Sequence, residues 1–220
     1  TIKKELVFFE KKILITAGPT YEMIDPVRFI GNFSSGKMGF SLAKKASELG
    51  AKVFLISGPS NESINGFDIE IKKVISADEM YDECIDIFPN VDICIMSAAI
   101  SDYKPENLSK EKIKKDDHSY LNIKLTPNKD IISHLAKMKN KNQKIIGFAL
   151  ETNNELENAK SKLVRKKLDA IVMNSLNHKG AGFDFDTNQV TFITETKSTE
   201  FSLKSKDEIS EEILNEILNL

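Results

Sequence analysis

A chain of 220 residues is long enough for one domain with a substantial hydrophobic core. Its net charge of −2 argues against a bulk nucleic-acid or membrane binder, and no apolar run approaches the roughly 20 residues of a membrane span. The two cysteines, Cys84 and Cys94, lie in apolar segments, which is typical of reduced core residues and predicts a cytoplasmic protein. Residues 1–10 are too charged for a signal peptide and predict a linker or N-terminal extension before a domain at 11–220.

The predicted elements alternate between short buried strands and amphipathic helices. Apolar runs predict buried parallel strands at 11–18, 51–58, 91–99, 144–150 and 168–175. Apolar residues at helical spacing predict helices at 36–50, 77–88, 131–138, 153–167 and 205–218, the fourth with a capping box at Thr152 and Glu155. A strand, a helix and a second parallel strand form a right-handed unit, so the alternation predicts an α/β fold.

Two further segments alternate apolar and polar residues with period two. Residues 121–127 predict a half-exposed strand, and 188–194 with 199–205 predict an antiparallel hairpin. The polar stretch 101–120 follows a core strand and predicts a long functional or disordered loop. Together the elements predict a three-layer, Rossmann-like α/β domain with a mainly parallel sheet and a C-terminal antiparallel hairpin.

Four loops that follow core strands are expected to meet at one edge of the sheet. Their residues are 16–20, 97–105, 148–154 and 173–175. In open parallel sheets, ligands bind at the carboxyl ends of the strands. The sequence therefore predicts a ligand site at this edge.

The segment 31–40, GNFSSGKMGF, resembles a phosphate-binding P-loop as far as its lysine. Gly31 and Lys37 occupy pattern positions, but Met38 replaces the hydroxyl residue that binds magnesium. The preceding strand also ends at Gly18, well before the first glycine of the pattern. These departures argue against a genuine Walker motif.

The segment still has one property of a phosphate-binding site, namely a predicted helix N-terminus. Ser34, Ser35 and Gly36 precede a predicted helix, and free N–H groups at a helix N-terminus attract anions. An ordinary helix cap with a solvent-exposed lysine fits the local sequence equally well. Gly18 alone does not form a dinucleotide-binding fingerprint.

Charged and aromatic residues near the same edge are further candidates, each with a plain structural alternative. Lysines within 112–115 could close over phosphates from a mobile loop, or form a solvated charge run. Lys162 and Lys166 share a helix face and could hold a triphosphate, or simply be exposed. Asp102 could hold Mg²⁺ or a ribose, or terminate a turn; Phe148 could stack on a base, or pack in the core.

Several of these segments together resemble phosphopantothenoylcysteine synthetase, an enzyme family of coenzyme A biosynthesis. The matching segments, in family order, are 15–39, 98–105, 112–115, 126–132, 147–154 and 160–174. The resemblance implies a ligase that condenses 4′-phosphopantothenate with L-cysteine. For the bacterial type it implies CTP and Mg²⁺, an acyl-cytidylate intermediate with release of pyrophosphate, and then displacement of CMP by the cysteine amine.

The resemblance also implies roles for individual residues. Asn32 matches the asparagine that contacts the activated acyl group, and Arg28 matches a substrate-binding position. Lys112 matches the mobile-loop lysine of acyl-cytidylate formation. Nucleotide binding is implied for Gly18, Ser34, Ser35, Gly36, Ser97, Ala98, Asp102, Lys112, Lys129, Asp130, Ile131, Phe148, Lys162 and Lys166. The magnesium ligands stay unassigned.

The family is dimeric, so a homodimer is expected, with the 188–205 hairpin or the 121–127 strand as a projecting element. Many bacteria fuse the synthetase to a flavin-dependent decarboxylase, which is a possible partner domain of the full-length protein. Three alternatives stay open: an ATP-using version of the same ligase, a Walker-type kinase or NTPase, and a non-catalytic nucleotide-binding module.

Overall fold

The computed structural model describes residues 6–115, 120–151, 153–175 and 185–220. The strands are β1 (Lys12–Ala17), β2 (Tyr21–Met23), β3 (Phe29–Gly31), β4 (Lys52–Ser57), β5 (Ile69–Lys73), β6 (Ile93–Met96), β7 (Tyr103–Pro105), β8 (Leu125–Pro127), β9 (Lys144–Glu151), β10 (Ala170–Ser175), β11 (Thr187–Asn188), β12 (Val190–Ile193), β13 (Ser198–Glu200) and β14 (Lys204–Ser205). The helices are α1 (Lys37–Glu48), α2 (Ala77–Ile87), α3 (Ile131–Met138), α4 (Glu155–Arg165) and α5 (Lys206–Leu218), and one 3-10 turn follows α2.

An eight-stranded sheet forms the middle layer, in the order β13-β12-β10-β9-β6-β1-β4-β5. The six strands from β10 to β5 in this order are parallel, whereas β12 and β13 are antiparallel to their neighbours. All five predicted core strands are confirmed within the parallel part. Parallel strands covered on both faces need apolar residues at nearly every position, as in β1 and β6, and this made them readable from the sequence.

Helices cover both faces of the sheet, so the predicted three-layer α/β architecture is confirmed. One buried cluster joins α1 and α5 to the sheet through residues such as Leu42 and Ile213. The other joins α2, α3 and α4 through Met80, Leu135 and Leu163. Among the described residues, no helix combines the length and apolar character that a membrane crossing requires.

The two ends of the chain pack on the same side. Phe8, within the stretch predicted as an extension, is 1% exposed, lies in the α1–α5 cluster and donates its N–H to the carbonyl of Leu49.

The predicted C-terminal hairpin is confirmed as β12 and β13, which continue the main sheet, while β11 and β14 form a separate pair. A capping box of Ser205 and Glu208 starts α5. Helix α4 starts after Asn154, and Thr152 lies outside the described residues.

Several short strands were not predicted. β5 is a half-exposed edge strand, and β2 and β3 form a hairpin inside the long loop after β1. Within 101–120, which was expected to be irregular, β7 pairs with β8, and the strand predicted at 121–127 shrinks to β8 outside the main sheet. These strands are three to five residues long and mostly polar or exposed, so local sequence carries little signal for them.

The order in which successive strands are added to the sheet reverses at β1, which lies between β4 and β6. This position is the topological switch point. Beyond these strands the chain stays paired: the N–H of Ala99 donates to the carbonyl of Gly18 at 2.9 Å, and Pro19 bridges Ala99. Gly18 has a φ of 74°, which favours glycine. At Gly58 a Cβ would lie 1.7 Å from the carbonyl oxygen of Pro19. The loops after β1, β4 and β6 therefore converge at the switch point, where ligands bind in such sheets.

Helix α1 packs so closely on the end of β1 that the helix residue at the contact, Gly39, has no room for a side chain. A Cβ at Gly39 would lie 2.5 Å from the Cβ of Ala17 and 2.7 Å from Oγ of Ser97. Both distances are far below van der Waals contact. Glycine at this position lets the start of α1 lie directly on the end of β1.

We expect Gly39→Ala to destabilise the fold by about 1–3 kcal/mol through overpacking, although alanine is the better helix former by about 1 kcal/mol. Chemical denaturation measures the free energy of unfolding. A double-mutant cycle with Ala17→Gly serves as the control, because removing the facing methyl group should reduce the effect. An equal loss in both backgrounds would contradict the packing explanation.

Candidate functional site

A cavity of about 510 Å³ opens at the switch point; we call it the main cavity. It is lined by residues 32–39, 97–100 and 148–150 together with Asp102, Lys162, Asn174, Asn188 and Lys206. Three of the four loops predicted to meet at this edge contribute residues of their own to the lining: 97–105, 148–154 and 173–175. The fourth, 16–20, forms the backbone support described above.

A second cavity of about 210 Å³, the side cavity, shares a wall with the main cavity. The shared residues are Ala98, Ile100, Asp102, Phe148 and Lys162. The rest of the side cavity comes from Met96, Ser101, residues 128–132 and Lys166. The two cavities together therefore contain most of the residues predicted to bind nucleotide.

The start of α1 forms one wall of the main cavity. Gly36 occupies the N-cap position with a φ of 84°, and it has no side chain to accept from the first N–H groups of the helix. Ser34 Oγ accepts from the N–H of Gly36, and Ser60 Oγ donates to the carbonyl of Ser35 at 2.6 Å. A Cβ at Gly36 would lie 2.9 Å from Ser60 Oγ. The loop is thus held in a form that presents backbone N–H groups to the cavity end of the helix.

Asn32 lies between this loop and the loop after β6. Its amide nitrogen donates to the carbonyl of Ile100 at 3.0 Å. An amide NH₂ carries two hydrogens, and one bond to Ile100 uses only one of them. Asn32 can therefore donate to a ligand in the main cavity without losing this anchor.

Ser97 and Ala98, both predicted contacts, are tied to β1. Ser97 Oγ donates to the carbonyl of Thr16 at 2.6 Å, and Thr16 Oγ1 accepts from the N–H of Ala98 at 3.2 Å. These bonds fix the backbone at the floor of the main cavity. The Ser97 hydroxyl donates to Thr16 and Ala98 has an apolar side chain, so these two side chains define the shape of the main cavity and do not donate hydrogen bonds into it.

Lys162 lies on α4, Lys166 is the C-cap residue one turn later, and both line the side cavity. Lys162 donates to the carbonyl of Phe148 at 3.2 Å, and burial together with the charge of Lys166 lowers its pKa. Lys166 pairs with Asp130 at 3.0 Å. Burial raises the pKa of Asp130, but bonds from Ser133 and Lys166 outweigh it and leave the pKa lowered.

Lys129, another predicted contact, extends away from its neighbour Asp130. Its ammonium lies 4.2 Å from the ring centroid of Tyr81 and 3.7 Å from a carboxylate oxygen of Asp78, both on α2. Ile131 lines the side cavity with an apolar side chain that is 2% exposed. Of the predicted run 129–131, the backbone and Ile131 thus shape the cavity, while the ammonium of Lys129 is held on α2.

Arg28 and the 112–115 segment line neither of the two cavities, and they form a connected unit of their own. The buried carboxylate of Asp25 pairs with the guanidinium of Arg28 and accepts the N–H groups of Val27, Arg28 and Ile113. Arg28 in turn donates to the carbonyl of Ile113 at 2.7 Å. The Arg28 bond holds the pKa of Asp25 far below its usual range. Lys112, adjacent to this anchor, is exposed.

Asn188 and Lys206 line the main cavity but lie in none of the four predicted loops and were not predicted site residues, and Asn174 lies in the predicted loop 173–175 but was given no role. Asn188 is 3% exposed and donates to Asn174 Oδ1 at 3.3 Å. Lys206 is 7% exposed and occupies the first position of α5. The N-terminus of a helix is unfavourable for a cation. A lysine at the first position of α5 was therefore the one local sequence signal that could have drawn attention to this residue.

Magnesium has no preformed protein cage in the described part of the chain. No group of three or more His, Cys, Asp or Glu side chains there is arranged to hold a metal ion. Asp102 is the exposed carboxylate that lines both cavities.

The chain is similar to known proteins over nearly its whole length. The family model for the DNA/pantothenate metabolism flavoprotein C-terminal domain matches residues 8–220. The chain is 43% identical over 205 residues to the coenzyme A biosynthesis bifunctional protein CoaBC of Borreliella burgdorferi, covering 93% of this chain and 51% of that protein. It is 44% identical over 231 residues to a cysteine/cysteine sulfinic acid decarboxylase from an unknown prokaryotic organism, covering 100% of this chain and 64% of that protein.

Solved structures give the same picture. A crystal structure of the C-terminal domain of a coenzyme A biosynthesis bifunctional protein CoaBC matches with a TM-score of 0.82 and 40% identity, covering 97% of each chain. A DNA/pantothenate metabolism flavoprotein from Streptococcus pneumoniae matches with a TM-score of 0.82 and 25% identity, covering 94% of this chain. The chain thus spans between half and two thirds of the curated relatives described above.

We expect Asp25→Asn to lower stability at neutral pH and to have little effect in acid. A carboxylate whose pKa is lowered on folding stabilises the fold above its unfolded pKa of about 3.9, and this stabilisation is lost as the pH falls toward the folded pKa. Urea unfolding of wild type and variant between neutral and strongly acidic pH measures the gap. Asp68→Asn, at an exposed aspartate before β5, is the control and should leave the free energy of unfolding nearly unchanged. If the difference in free energy of unfolding between wild type and Asp25→Asn does not narrow below about pH 3.9, the ion-pair explanation is contradicted.

Proposed function

The chain belongs to the DNA/pantothenate metabolism flavoprotein C-terminal domain family, and we propose that it is a CTP-dependent phosphopantothenate–cysteine ligase of coenzyme A biosynthesis. The observation that carries the proposal is the pair of adjoining cavities at the switch point, which unites a helix start suited to phosphate with a smaller, base-sized space. The name of the Borreliella relative supports the pathway.

The proposed reaction has two steps. A carboxylate oxygen of 4′-phosphopantothenate attacks the α-phosphorus of CTP, the bond from that phosphorus to the bridging oxygen breaks, and pyrophosphate leaves. The amine of L-cysteine then attacks the acyl carbon, the amide bond forms, CMP leaves and the amine gives up a proton. Activation is needed because a free carboxylate is a poor acyl donor.

The side cavity suits the nucleobase. Its floor is apolar, with Ile131 and Phe148, and its volume of about 210 Å³ fits one flat ring system with its contacts. Around this floor lie polar groups, including Asp130 and Lys166, which are already paired to each other. An aromatic side chain on a shared wall offers stacking to a base.

The start of α1 suits the phosphates. Helix N-termini that follow the first strand of a Rossmann-like sheet bind phosphate through their free N–H groups. Lys162, buried and with a lowered pKa, lies on the wall shared by both cavities, where a phosphate would offset its desolvation. Magnesium usually takes one or two carboxylates and substrate phosphates, so we propose that it enters with the triphosphate and that Asp102 is its protein ligand.

Asn32 and the Arg28–Lys112 region suit the acyl group. The second amide hydrogen of Asn32 can donate to the acyl oxygen as negative charge develops on it. Asp25 and Arg28 anchor Ile113, the residue next to Lys112, so this exposed lysine extends into solvent from a fixed point of the backbone. We propose that Lys112 closes over the reacting phosphate and that Arg28 meets the substrate at the same edge.

We propose that the protein is a cytoplasmic homodimer, since exposed apolar side chains cluster on the short strands near the site. Val27 and Phe29 border the β2–β3 hairpin, and Tyr103 and Leu125 belong to the β7–β8 pair. Light scattering of purified protein measures the mass.

The relatives named bifunctional are about twice as long as the matched segment, which supports a fused decarboxylase as the partner domain.

A Walker-type kinase is the weaker alternative. The position that should carry a magnesium-binding hydroxyl is Met38, whose sulfur lies 3.9 Å from the amide of Asn188. A kinase would release ADP or CDP, whereas the ligase releases pyrophosphate and CMP. The products therefore separate the two functions.

We expect the protein to form the cysteine amide and pyrophosphate when given 4′-phosphopantothenate, CTP, Mg²⁺ and L-cysteine. Mass spectrometry detects the amide and a coupled assay detects pyrophosphate. Replacing CTP with ATP should lower turnover; an equal or higher rate would favour the ATP-using ligase. Nucleotide binding without either product, in well-folded dimeric protein, would favour a regulatory module.

We expect Lys112→Gln to slow acyl-cytidylate formation, and Asn32→Asp to slow use of that intermediate by cysteine. The loss for a missing charge-stabilising donor is about 10²–10³ in rate. Quenched-flow assays with and without cysteine separate the two steps.

Lys110→Gln is the matched control, because Lys110 is an exposed lysine of the same segment and is not among the predicted site residues. It should retain wild-type rates. Wild-type turnover by Lys112→Gln or by Asn32→Asp would remove that residue from the mechanism.

A further inference from the structure

Asp78, on α2, is in contact with two lysine side chains although it lines neither the main cavity nor the side cavity. One oxygen of its carboxylate pairs with the ammonium of Lys104, and the other lies 3.7 Å from the ammonium of Lys129. Asp82, one turn later on α2, adds a longer contact of 4.0 Å to Lys129. The bond from Lys104 and the charge of Lys129 lower the pKa of Asp78, so its carboxylate is ionised at neutral pH.

The two lysines belong to two chain segments, 101–105 and 125–130, which we together call the side-cavity wall. Asp102 in the first segment and Lys129 in the second line the side cavity. Lys104 lies two residues after Asp102, on β7. Each segment therefore connects the lining of the side cavity to the same carboxylate on α2.

The side-cavity wall has hydrogen bonds of its own but lies outside the main sheet. The N–H of Asn128 donates to the carbonyl of Asp102 at 2.8 Å, and the Asn128 amide donates to the carbonyl of Ser101 at 2.8 Å. β7 and β8 pair with each other in a separate two-stranded sheet. Because this pair is not part of the main sheet, sheet hydrogen bonds do not fix its position, and contacts with neighbouring helices contribute to it.

Two adjacent residues of opposite charge attach the wall to two different helices. The ammonium of Lys129 lies on α2, 4.2 Å from the ring centroid of Tyr81. Asp130 pairs instead with Lys166, the C-cap residue of α4. The Tyr81 hydroxyl lies 2.9 Å from Nδ1 of His134 on α3, which holds the aromatic ring that Lys129 covers.

We propose that Asp78 is a positioning residue for the nucleotide: by holding Lys104 and Lys129 on α2, it keeps the side-cavity wall where a base fits between that wall and Phe148. This inference rests on the proposed function and deepens it. Asp78 acts through other residues, so its loss weakens binding of the part of the nucleotide that lies in the side cavity.

The test is the Asp78→Asn variant, studied with CTP and with CMP, which share the base and the ribose. Calorimetry should show both affinities reduced by the same factor, about threefold to tenfold, as expected for the loss of two partly exposed ion pairs. The direction is diagnostic, because removing a negative charge and freeing two lysines would by themselves strengthen binding of a polyphosphate. Unchanged or higher affinities, or a loss for CTP alone, would overturn the inference.

Lys104→Met tests the same contact from the other side and leaves the start of α2 intact. It should also reduce both affinities. Adding Asp78→Asn to Lys104→Met should cause a smaller loss than Asp78→Asn causes alone, because one of the two contacts is already gone. Thermal melting checks that the variants fold, and Lys104→Met decides the test if Asp78→Asn does not fold. Losses that simply multiply, or no loss in Lys104→Met, would overturn the inference.

Asp86→Asn is the matched control, since Asp86 is an exposed aspartate on the same helix and takes part in none of the contacts above. Both nucleotide affinities should stay within about twofold of wild type. A loss as large as that in Asp78→Asn would indicate a general effect of charge on α2 and would overturn the specific role.

Kinetics distinguish this inference from the proposed function. In an active enzyme, Asp78→Asn should raise the KM for CTP and leave kcat and the KM for phosphopantothenate near their wild-type values. A lowered kcat with an unchanged KM for CTP would overturn the positioning role. If CTP and CMP binding depends on Asp78 but the wild type makes no cysteine amide, the positioning role stands and the ligase proposal fails. If the wild type binds neither nucleotide, both fail.

Discussion

The pairing of the chain beyond the ends of β1 and β6 positions the whole candidate site. Through the bond from Ala99 to Gly18, the two loops leave the sheet side by side instead of diverging. Thr20 then accepts the N–H of Ser101, so the connection continues past the last bridge. The loop after β6, which contributes to the walls of both cavities, is thus held by backbone hydrogen bonds, and binding there requires little reordering of the chain.

Most cations around the site are already paired with carboxylates of the same chain. Arg28 with Asp25 and Lys166 with Asp130 are two such pairs, and this agrees with a net charge near zero. The Lys166–Asp130 pair has a half-exposed carboxylate and contributes little to stability, so a polyphosphate can compete for Lys166 at small cost, whereas the buried carboxylate of Asp25 holds Arg28 more strongly. Lys162 differs because burial lowers its pKa, and an anion that restores its charged form gains the most from binding near it.

The sequence predicts the parallel core because burial on both faces demands continuous apolar runs, and it predicts the edge at which the site lies because topology places strand ends together. It predicted a strand that contains β8 but not β7 or the pairing of the two, which joins residues about twenty positions apart. Nor could it show that the ammonium of Lys129 lies against Tyr81, since that depends on where α2 packs. Lys206 was missed for the same reason: only the packing of α5 beside α1 brings it to the main cavity.

The resemblance of GNFSSGKMGF to a P-loop has a structural cause. In a P-loop the strand leads straight into the glycine turn, but here the β2–β3 hairpin intervenes before the chain returns to the end of β1. The return succeeds because Gly39 lets α1 lie against Ala17. Lys37 then pairs with Asp186, an exposed carboxylate, while the more deeply buried Lys206 reaches the cavity from α5. Both lysines line the main cavity, so the lysine that the P-loop pattern places on α1 is accompanied here by a second lysine from α5.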